Sequence, residues 1–333
     1  MALRGGIDLG GTKIQAVVVD DDHDVRGQQR AQTPLKGGPP DIAAAMATAL
    51  RAAADQAGVA PSDLAGVGVG SPGQVDDATG TVASARNLPG WDGSFALADA
   101  LRADLGVMQV RLSNDVGAAA DAEAAIGVGR AARSFLGVFW GTGVGGAVIL
   151  DGKRWTGRGF GGEFGHTLVK LGGAQCPCGK HGHVEAYAGR KAMEARARER
   201  MDKGEKTMLF KLMAEKGRDR LTSGIWEKAL RHGDPVAEEL VERAVQAIAG
   251  GAASVVNLLD VDAVVLGGGL GIRFGQPMAD RLAAAMQQHL FVESRPPRVL
   301  VAELGDLGGA LGASLLVRTA AAPATPPAPA AAG

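Results

Sequence analysis

A chain of 333 residues, 46% of them hydrophobic, is long enough for about two domains with ordinary buried cores. Lys and Arg number 35 against 36 Asp and Glu, so the formal net charge is −1 and no basic surplus marks nucleic acid or an anionic membrane as a partner. No apolar run approaches the ~18 residues of a membrane span, MALRGGIDLGG lacks the apolar core of a signal peptide, and two cysteines one residue apart cannot staple a secreted fold, so a reduced, cytoplasmic setting is expected.

In chain order, residues 3–9 and 14–20 read as strands joined by Gly10-Gly11-Thr12-Lys13. A helix follows over 41–57, a buried strand over 64–69, a helix over 95–105 and a strand over 107–112. Asn114-Asp115 then opens an alanine-rich helix over 116–126. Strands over 135–140 and 147–150 flank GTGVGG, so the strand, glycine turn, strand unit recurs and hints at two related halves. Helices are expected over 190–200, 223–230 and 235–259, then a strand over 261–266 ending in Gly267-Gly268-Gly269. A helix over 278–290, a strand over 298–302 and a helix over 307–317 complete the alternation of an α/β chain. The Ala/Pro tail, 319–333, has nothing to bury and is expected to be disordered.

Glycine, at 51 residues, is about twice its usual ~7% share and is clustered after apolar runs. Such clusters serve either as plain turns or as places where backbone approaches a ligand. Three stretches match G-x-G-x-x-G, but none has the strand before and helix after that a dinucleotide fingerprint needs. Pro72 interrupts the first, the second continues as a strand through AVIL, and the third, from Gly157, is read as following no strand. Asp8, Gly10, Gly11, Thr12 and Lys13, and again Gly141, Thr142, Gly143 and Gly145, place a hydroxyl and several backbone N–H groups in a hairpin turn, an arrangement that holds phosphate oxygens. Asp8 adds a carboxylate suited to Mg²⁺ through water. Asp115, between a strand end and a helix start, fits two roles equally: a general base for phosphoryl transfer, or a helix cap.

Between Gly161 and Arg190 lie both cysteines, three of the six histidines and the carboxylates of Glu163 and Glu185. His166, Cys176, Cys178 and His183 form a four-ligand set suited to tetrahedral, structural Zn²⁺, with His181 a rival for the fourth position. Glu163 and Glu185 flank the set and are free to face a polar ligand.

Together these motifs resemble the ROK family (repressors, open reading frames and kinases) from Gly5 to about Val317. DLGGTK and GTGVGGAVILDGK look like the family's two phosphate motifs, GVGVGSPGQVD like its next glycine segment, GGEFGH with CPCGKHGHVEAY like its signature, and VVLGGG and ELGDLGGALGA like its nucleotide side. One departure is His183, where the family usually has a third cysteine; imidazole is an acceptable substitute. The resemblance implies an actin-like, ribonuclease H-type, two-lobed sugar kinase fold with an interlobe cleft. Residues 1–115 with 305–318 would form the N-terminal lobe, and 116–304 the C-terminal lobe with the zinc loop. It implies ATP and Mg²⁺, Asp115 taking the proton from a sugar 6-hydroxyl, and Asn87, Asn114, Glu163, His166 and Glu185 holding ring hydroxyls, with Gly268 and Gly269 on the nucleotide side. It also implies a homodimer or homotetramer.

Glucose is the expected acceptor. Fructose, mannose, N-acetylglucosamine and N-acetylmannosamine present similar hydroxyls and stay open, and polyphosphate ranks below ATP as donor. A sugar-responsive regulator is the reading from another class. Its DNA-binding domain would precede the kinase-like core, and the likeness here begins at Gly5 in a nearly neutral chain.

Overall fold

The structure is a computed structural model of the chain and describes residues 2–85 and 87–317. The Ala/Pro tail, 319–333, lies outside the described residues. The chain divides into two compact units, one running through residue 118 and resuming at 309, the other Ala119–Gly308.

The first unit is built on a five-stranded sheet of β1 (Arg4–Leu9), β2 (Lys13–Val19), β3 (Val25–Gln32), β4 (Val67–Ser71) and, after three short strands, β8 (Val110–Asn114), in the order β3-β2-β1-β4-β8. The pairs β1–β2 and β2–β3 are antiparallel, while β1–β4 and β4–β8 are parallel. Helices α1 (Pro39–Ala57) and α2 (Leu97–Leu105) pack Ile42, Met46, Leu50, Leu97 and Leu101 into one core with Ile7, Leu9, Ile14, Val67 and Val69. The short strands β5 (Gln74–Asp76), β6 (Thr81–Ala83) and β7 (Ser94–Phe95) form a separate antiparallel ribbon. Helix α3 (Asp115–Ala125) leaves β8 without a connecting loop.

The second unit repeats the plan. Strands β9 (Phe135–Trp140), β10 (Val144–Leu150), β11 (Lys153–Trp155), β12 (Ala263–Gly267) and β13 (Arg298–Val301) stand in the order β11-β10-β9-β12-β13, with the same antiparallel and parallel pairings as the first sheet. The weak repeat seen in the sequence is thus a repeat of topology. Because β11 precedes Gly157, the third G-x-G-x-x-G does follow a strand, contrary to the sequence expectation. It still fails as a fingerprint, since it leads into a three-residue 3₁₀ turn, Phe164–His166, and not into an α-helix. The helices are α4 (Glu185–Ala188), α5 (Arg190–Asp202), α6 (Leu209–Glu215), α7 (Ser223–Arg231), α8 (Pro235–Leu259) and α9 (Gly268–Gln287), the last broken at Gly275 with Pro277 just beyond. Asp234 caps α8 by accepting from the Ala237 N–H at 2.9 Å. Residues Trp140, Phe164, Val184, Trp226, Val241 and Leu266 share this unit's largest core. Helix α10 (Gly308–Ser314) ends the described chain. No helix among the described residues is long and apolar enough to cross a membrane.

A carboxylate ties the ribbon to β8 in the first unit. Asp77 accepts from Arg111 Nε at 2.8 Å and from the Leu112 N–H at 2.7 Å. Burial pushes the Asp77 carboxyl up, but the Arg111 hydrogen bond, the Leu112 N–H and the Arg111 charge outweigh it and hold it below the usual carboxylate range. A lowered acid pKa contributes stability that is present above the unfolded value and is lost as pH falls through the folded one. Asp77→Asn is therefore expected to unfold at lower urea than the parent at pH 7, by under about 1 kcal/mol for so exposed a pair. The gap should close as pH drops below the usual value of 3.8 and through the folded one. Urea titrations over pH 2–7 read this, and a gap that persists at the acid end contradicts it.

Candidate functional site

In the first unit, three sequence motifs meet along the carboxyl ends of adjacent parallel strands, where open α/β sheets hold ligands. Asp8 on β1 is in register with Gly70 on β4, and Gly70 with Ser113 on β8. Asn114 and Asp115 follow one and two residues later. The loop Gly10-Gly11-Thr12-Lys13 closes the β1–β2 hairpin, with the Gly10 N–H donating to Lys13 O at 2.9 Å. Thr12 is exposed at its tip. Thr33, a buried residue that sequence reasoning missed, braces the turn: its hydroxyl donates to Gly10 O at 2.7 Å and its N–H to Thr12 O at 3.2 Å. A methyl group on Gly11 would stand 3.1 Å from Asn87 Nδ2, so Asn87 lies against this turn. A methyl group on Gly309 would stand 2.6 Å from the Asp8 carboxyl carbon, so only glycine lets α10 pass this close to that acid.

Asn114 and Asp115 divide the work at the start of α3. The Gly117 N–H donates to Asn114 Oδ1 at 3.1 Å, which makes Asn114 the N-cap. Asp115 occupies the first helical position, and its Oδ1 accepts from the Val116 N–H at 2.9 Å. The positive end of the helix dipole lies beside its carboxylate. Asn114 still has its amide N–H groups to donate.

In the second unit, Gly141-Thr142-Gly143 closes the β9–β10 hairpin, the Gly141 N–H donating to Gly143 O at 2.9 Å. Thr142 is exposed. Helix α4 and the start of α5 wrap this turn. Glu185 Oε2 accepts from the Val144 N–H at 2.8 Å, and a methyl group on Gly143 would stand 2.1 Å from that oxygen. Glu185, read from the sequence as facing a polar ligand, is thus partly engaged by the turn; its other oxygen and remaining lone pairs are what it can offer elsewhere. Trp140 Nε1 donates to Ala188 O at 2.6 Å, and the N–H groups of Arg190 and Lys191 donate to Gly141 O and Thr142 O, each at 3.1 Å. Arg190 also places its side chain on the Thr142 hydroxyl at 2.9 Å, a contact no local motif announces. The Gly267–Gly269 cluster meets the same strand end: Gly268, at φ +76°, has the Trp140 backbone within 2.7 Å of where a Cβ would stand. The N-terminus of α9 therefore begins beside the Gly141 turn.

The metal-type residues also converge. Ligand atoms of His166, Cys176, Cys178 and His183 lie within 4.8 Å of one another. Cys178 Sγ is 3.3 Å from His183 Nδ1, and Cys176 Sγ is 3.8 Å from His166 Nδ1. His181 is exposed and stands outside this group. Backbone pairing explains the choice between the two histidines: His183 bridges Leu168 and His181 bridges Gln175, so the two sit at different points of a small irregular ladder. Burial, followed by the charge of His166, lowers the His183 pKa, which favours the neutral imidazole a metal requires. Burial pushes the Cys176 thiol up to about 11, so a metal binding there must displace its proton. Two thiols and two imidazoles at this spacing fit Zn²⁺. Glu163 is exposed at the start of the 3₁₀ turn that carries His166.

Two units on one strand plan, each closing its leading hairpin with a glycine turn that bears an exposed threonine, define an actin-like, two-lobed phosphotransferase. The ROK family model matches residues 4–320. A glucokinase of Thermotoga maritima is 30% identical over 318 residues, covering 94% of this chain and 96% of the relative. An N-acetyl-D-glucosamine kinase of Citrobacter koseri is 32% identical over 326 residues, covering 93% and 98%. Among solved structures, a ROK family glucokinase from Streptomyces griseus in complex with glucose and AMPPNP matches with a TM-score of 0.80 at 31% identity, over 95% of this chain and 99% of that one. The chain belongs to the ROK family, and within it to the sugar kinases.

Proposed function

We propose that this enzyme transfers the γ-phosphoryl group of ATP to the 6-hydroxyl of a hexose, glucose first among them, with Asp115 as general base. The observation that carries the reading is the division of labour at α3. Asn114 Oδ1 takes the capping bond from the Gly117 N–H, and the Asp115 carboxylate, with Oδ1 on the Val116 N–H, stands at the carboxyl end of β8, across β4 from Asp8 on β1. In this reading an alcohol proton passes to Asp115 as the oxygen attacks phosphorus. Asn87 and Asn114, with Glu163, His166 and Glu185, hold ring hydroxyls through amide donors and carboxylate acceptors. Thr12, Lys13 and the N–H of Gly11 take phosphate oxygens from the first unit, and Gly10, whose own N–H closes the turn on Lys13 O, lets the backbone come close. Gly141, Thr142, Gly143, Gly145 and the start of α9 at Gly268 and Gly269 take them from the second. Asp8 holds Mg²⁺ through water, which neutralises charge between the phosphates. His166, Cys176, Cys178 and His183 hold a structural Zn²⁺. The unit ending at residue 118, with the chain from 309, is the N-terminal lobe, and Ala119–Gly308 the C-terminal lobe.

The S. griseus structure supports glucose with ATP, since it holds glucose and an ATP analogue. A kinase for an N-acetylated hexose is the second reading, favoured by the identity to the C. koseri kinase. Initial rates of the purified chain on glucose, mannose, fructose, N-acetylglucosamine and N-acetylmannosamine, each with ATP and with polyphosphate, separate the two. The highest kcat/KM is expected for glucose with ATP. A higher value for an N-acetylated sugar would transfer the assignment to the second reading, and no turnover on any hexose would remove both.

A further inference from the structure

We propose that Arg190 is a positioning residue for the nucleotide: its guanidinium fixes the Thr142 hydroxyl as a hydrogen-bond donor toward a phosphate oxygen. The inference rests on the kinase reading above and adds a residue that lies outside both glycine motifs.

The side chain is held at two points. Arg190 Nη1 donates to Leu221 O at 2.7 Å and Nη2 donates to Thr142 Oγ1 at 2.9 Å. The backbone around it is fixed too, with the Arg190 N–H on Gly141 O and the Lys191 N–H on Thr142 O. The turn and the start of α5 therefore move as one piece. A threonine hydroxyl has one proton to give and lone pairs that accept. An arginine has donors only. Its bond to Oγ1 occupies the acceptor side of the hydroxyl and leaves the O–H to point away from the guanidinium. Thr142 is exposed, so this O–H is presented at the tip of the hairpin. Phosphate oxygens accept, and a donor already oriented loses no rotamer freedom on meeting one. The cation also polarises the O–H through its oxygen, which strengthens the outward bond.

Arg190 is a cation although its surroundings oppose the charge. Burial, then the charge of Arg220, draws its pKa below the usual arginine value, with Glu194 pulling the other way. Glu194 is itself engaged, accepting from the Leu221 N–H at 2.8 Å and from Arg198. The guanidinium stays charged across the working pH range, and Arg220 adds a second positive charge nearby. Lysine at 190 would keep the charge, but it lacks the planar fork that reaches Leu221 O and Thr142 Oγ1 together.

A double-mutant cycle on the full chain tests the assignment. Affinity for a non-hydrolysable ATP analogue with Mg²⁺ is measured by calorimetry, and KM for ATP and for the hexose by initial rates. Arg190→Met and Thr142→Val are each expected to weaken nucleotide binding about tenfold, the range of one hydrogen bond to a charged group. The double variant should be little weaker than either single one, because the two act through one O–H. Hexose KM should move less than about twofold, and Arg190→Lys should recover part of the loss. Losses that multiply in the double variant overturn the proposal, as does a hexose KM that rises with that for ATP. If Arg190→Met does not fold, Thr142→Ser against Thr142→Val decides: the serine variant is expected to keep nucleotide affinity and the valine variant to lose it, and equal affinities overturn the proposal. A parent protein that neither binds the analogue nor turns over ATP brings down the kinase reading and this inference with it. An active parent with multiplying losses brings down this inference alone.

Discussion

Asp115→Asn is expected to lower turnover about a thousandfold while leaving hexose affinity within about threefold, the range for loss of a positioned general base. The asparagine keeps the shape of the side chain and an oxygen that can accept from the Val116 N–H. What it loses is the ability to take a proton. The helix should survive, because the cap at its start is Asn114 Oδ1 on the Gly117 N–H and is untouched. Only the favourable charge of an acid in the first turn is lost, worth about 0.3–1 kcal/mol. The substitution thereby separates the two roles the sequence left even. A capping Asp115 predicts near-normal turnover, because asparagine caps a helix about as well as aspartate, and a basic Asp115 predicts the thousandfold loss with little change in stability.

Removing the proposed Zn²⁺ should have the second largest effect. The loop between His166 and His183 is anchored at its ends by core residues: Phe164 and Val184 are buried and pack together against Gly251 of α8. Between those anchors its backbone bonds are mostly to itself, among them Cys176 N–H to Lys180 O at 2.7 Å, Gly182 N–H to Ala174 O at 2.8 Å and Val184 N–H to Thr167 O at 3.0 Å. Cys178→Ser, or a strong chelator, is expected to take bound zinc from one per chain to near zero. The core anchors should keep the unit folded. Glu185 follows His183 by two residues and holds the Val144 N–H, so a loosened loop should reach the hairpin turn through it. Hexose KM is expected to rise about tenfold or more, in line with loss of groups that orient a site. Metal analysis of protein prepared with zinc present, with kinetics before and after chelation, reads both effects. A parent chain that carries no metal under those conditions, or a Cys178→Ser variant with unchanged zinc and KM, would contradict the zinc assignment.

Much of this was legible in the sequence where the signal is local. The two hairpin turns were visible because glycine, threonine and flanking apolar runs stand side by side, and α8 because its apolar period spans 25 residues. Strand β3 was missed because it lies at a sheet edge with alternate positions exposed, so VRGQQRAQ carries almost no apolar pattern. Helix α6 has seven residues, too few for a period to show. The sequence places Gly267-Gly268-Gly269 at a strand end and starts the next helix only at Met278, because the glycines suggest a turn; in the structure they let α9 start against the Trp140 backbone, and the break comes later, at Gly275. The site contacts that escaped are those made across the chain. Thr33 reaches back 23 positions to Gly10, and Arg190 reaches 48 to Thr142. Composition and spacing carry no trace of such bonds until the strands are paired. The rivalry of His181 and His183 was of the same kind, since it turns on which residue of an irregular ladder each one faces.

The proposed reaction is phosphoryl transfer from ATP to a sugar 6-hydroxyl, with Asp115 taking the proton. It is tested most directly by following the reaction of ATP with glucose labelled at carbon 6, by phosphorus and carbon NMR, for the parent chain and Asp115→Asn side by side. A phosphate ester coupled to carbon 6, formed one for one with ADP, is expected in the parent, and almost none in the variant although glucose still binds. An ester at another position, ADP formed without any sugar ester, or an equal rate in the variant would contradict it.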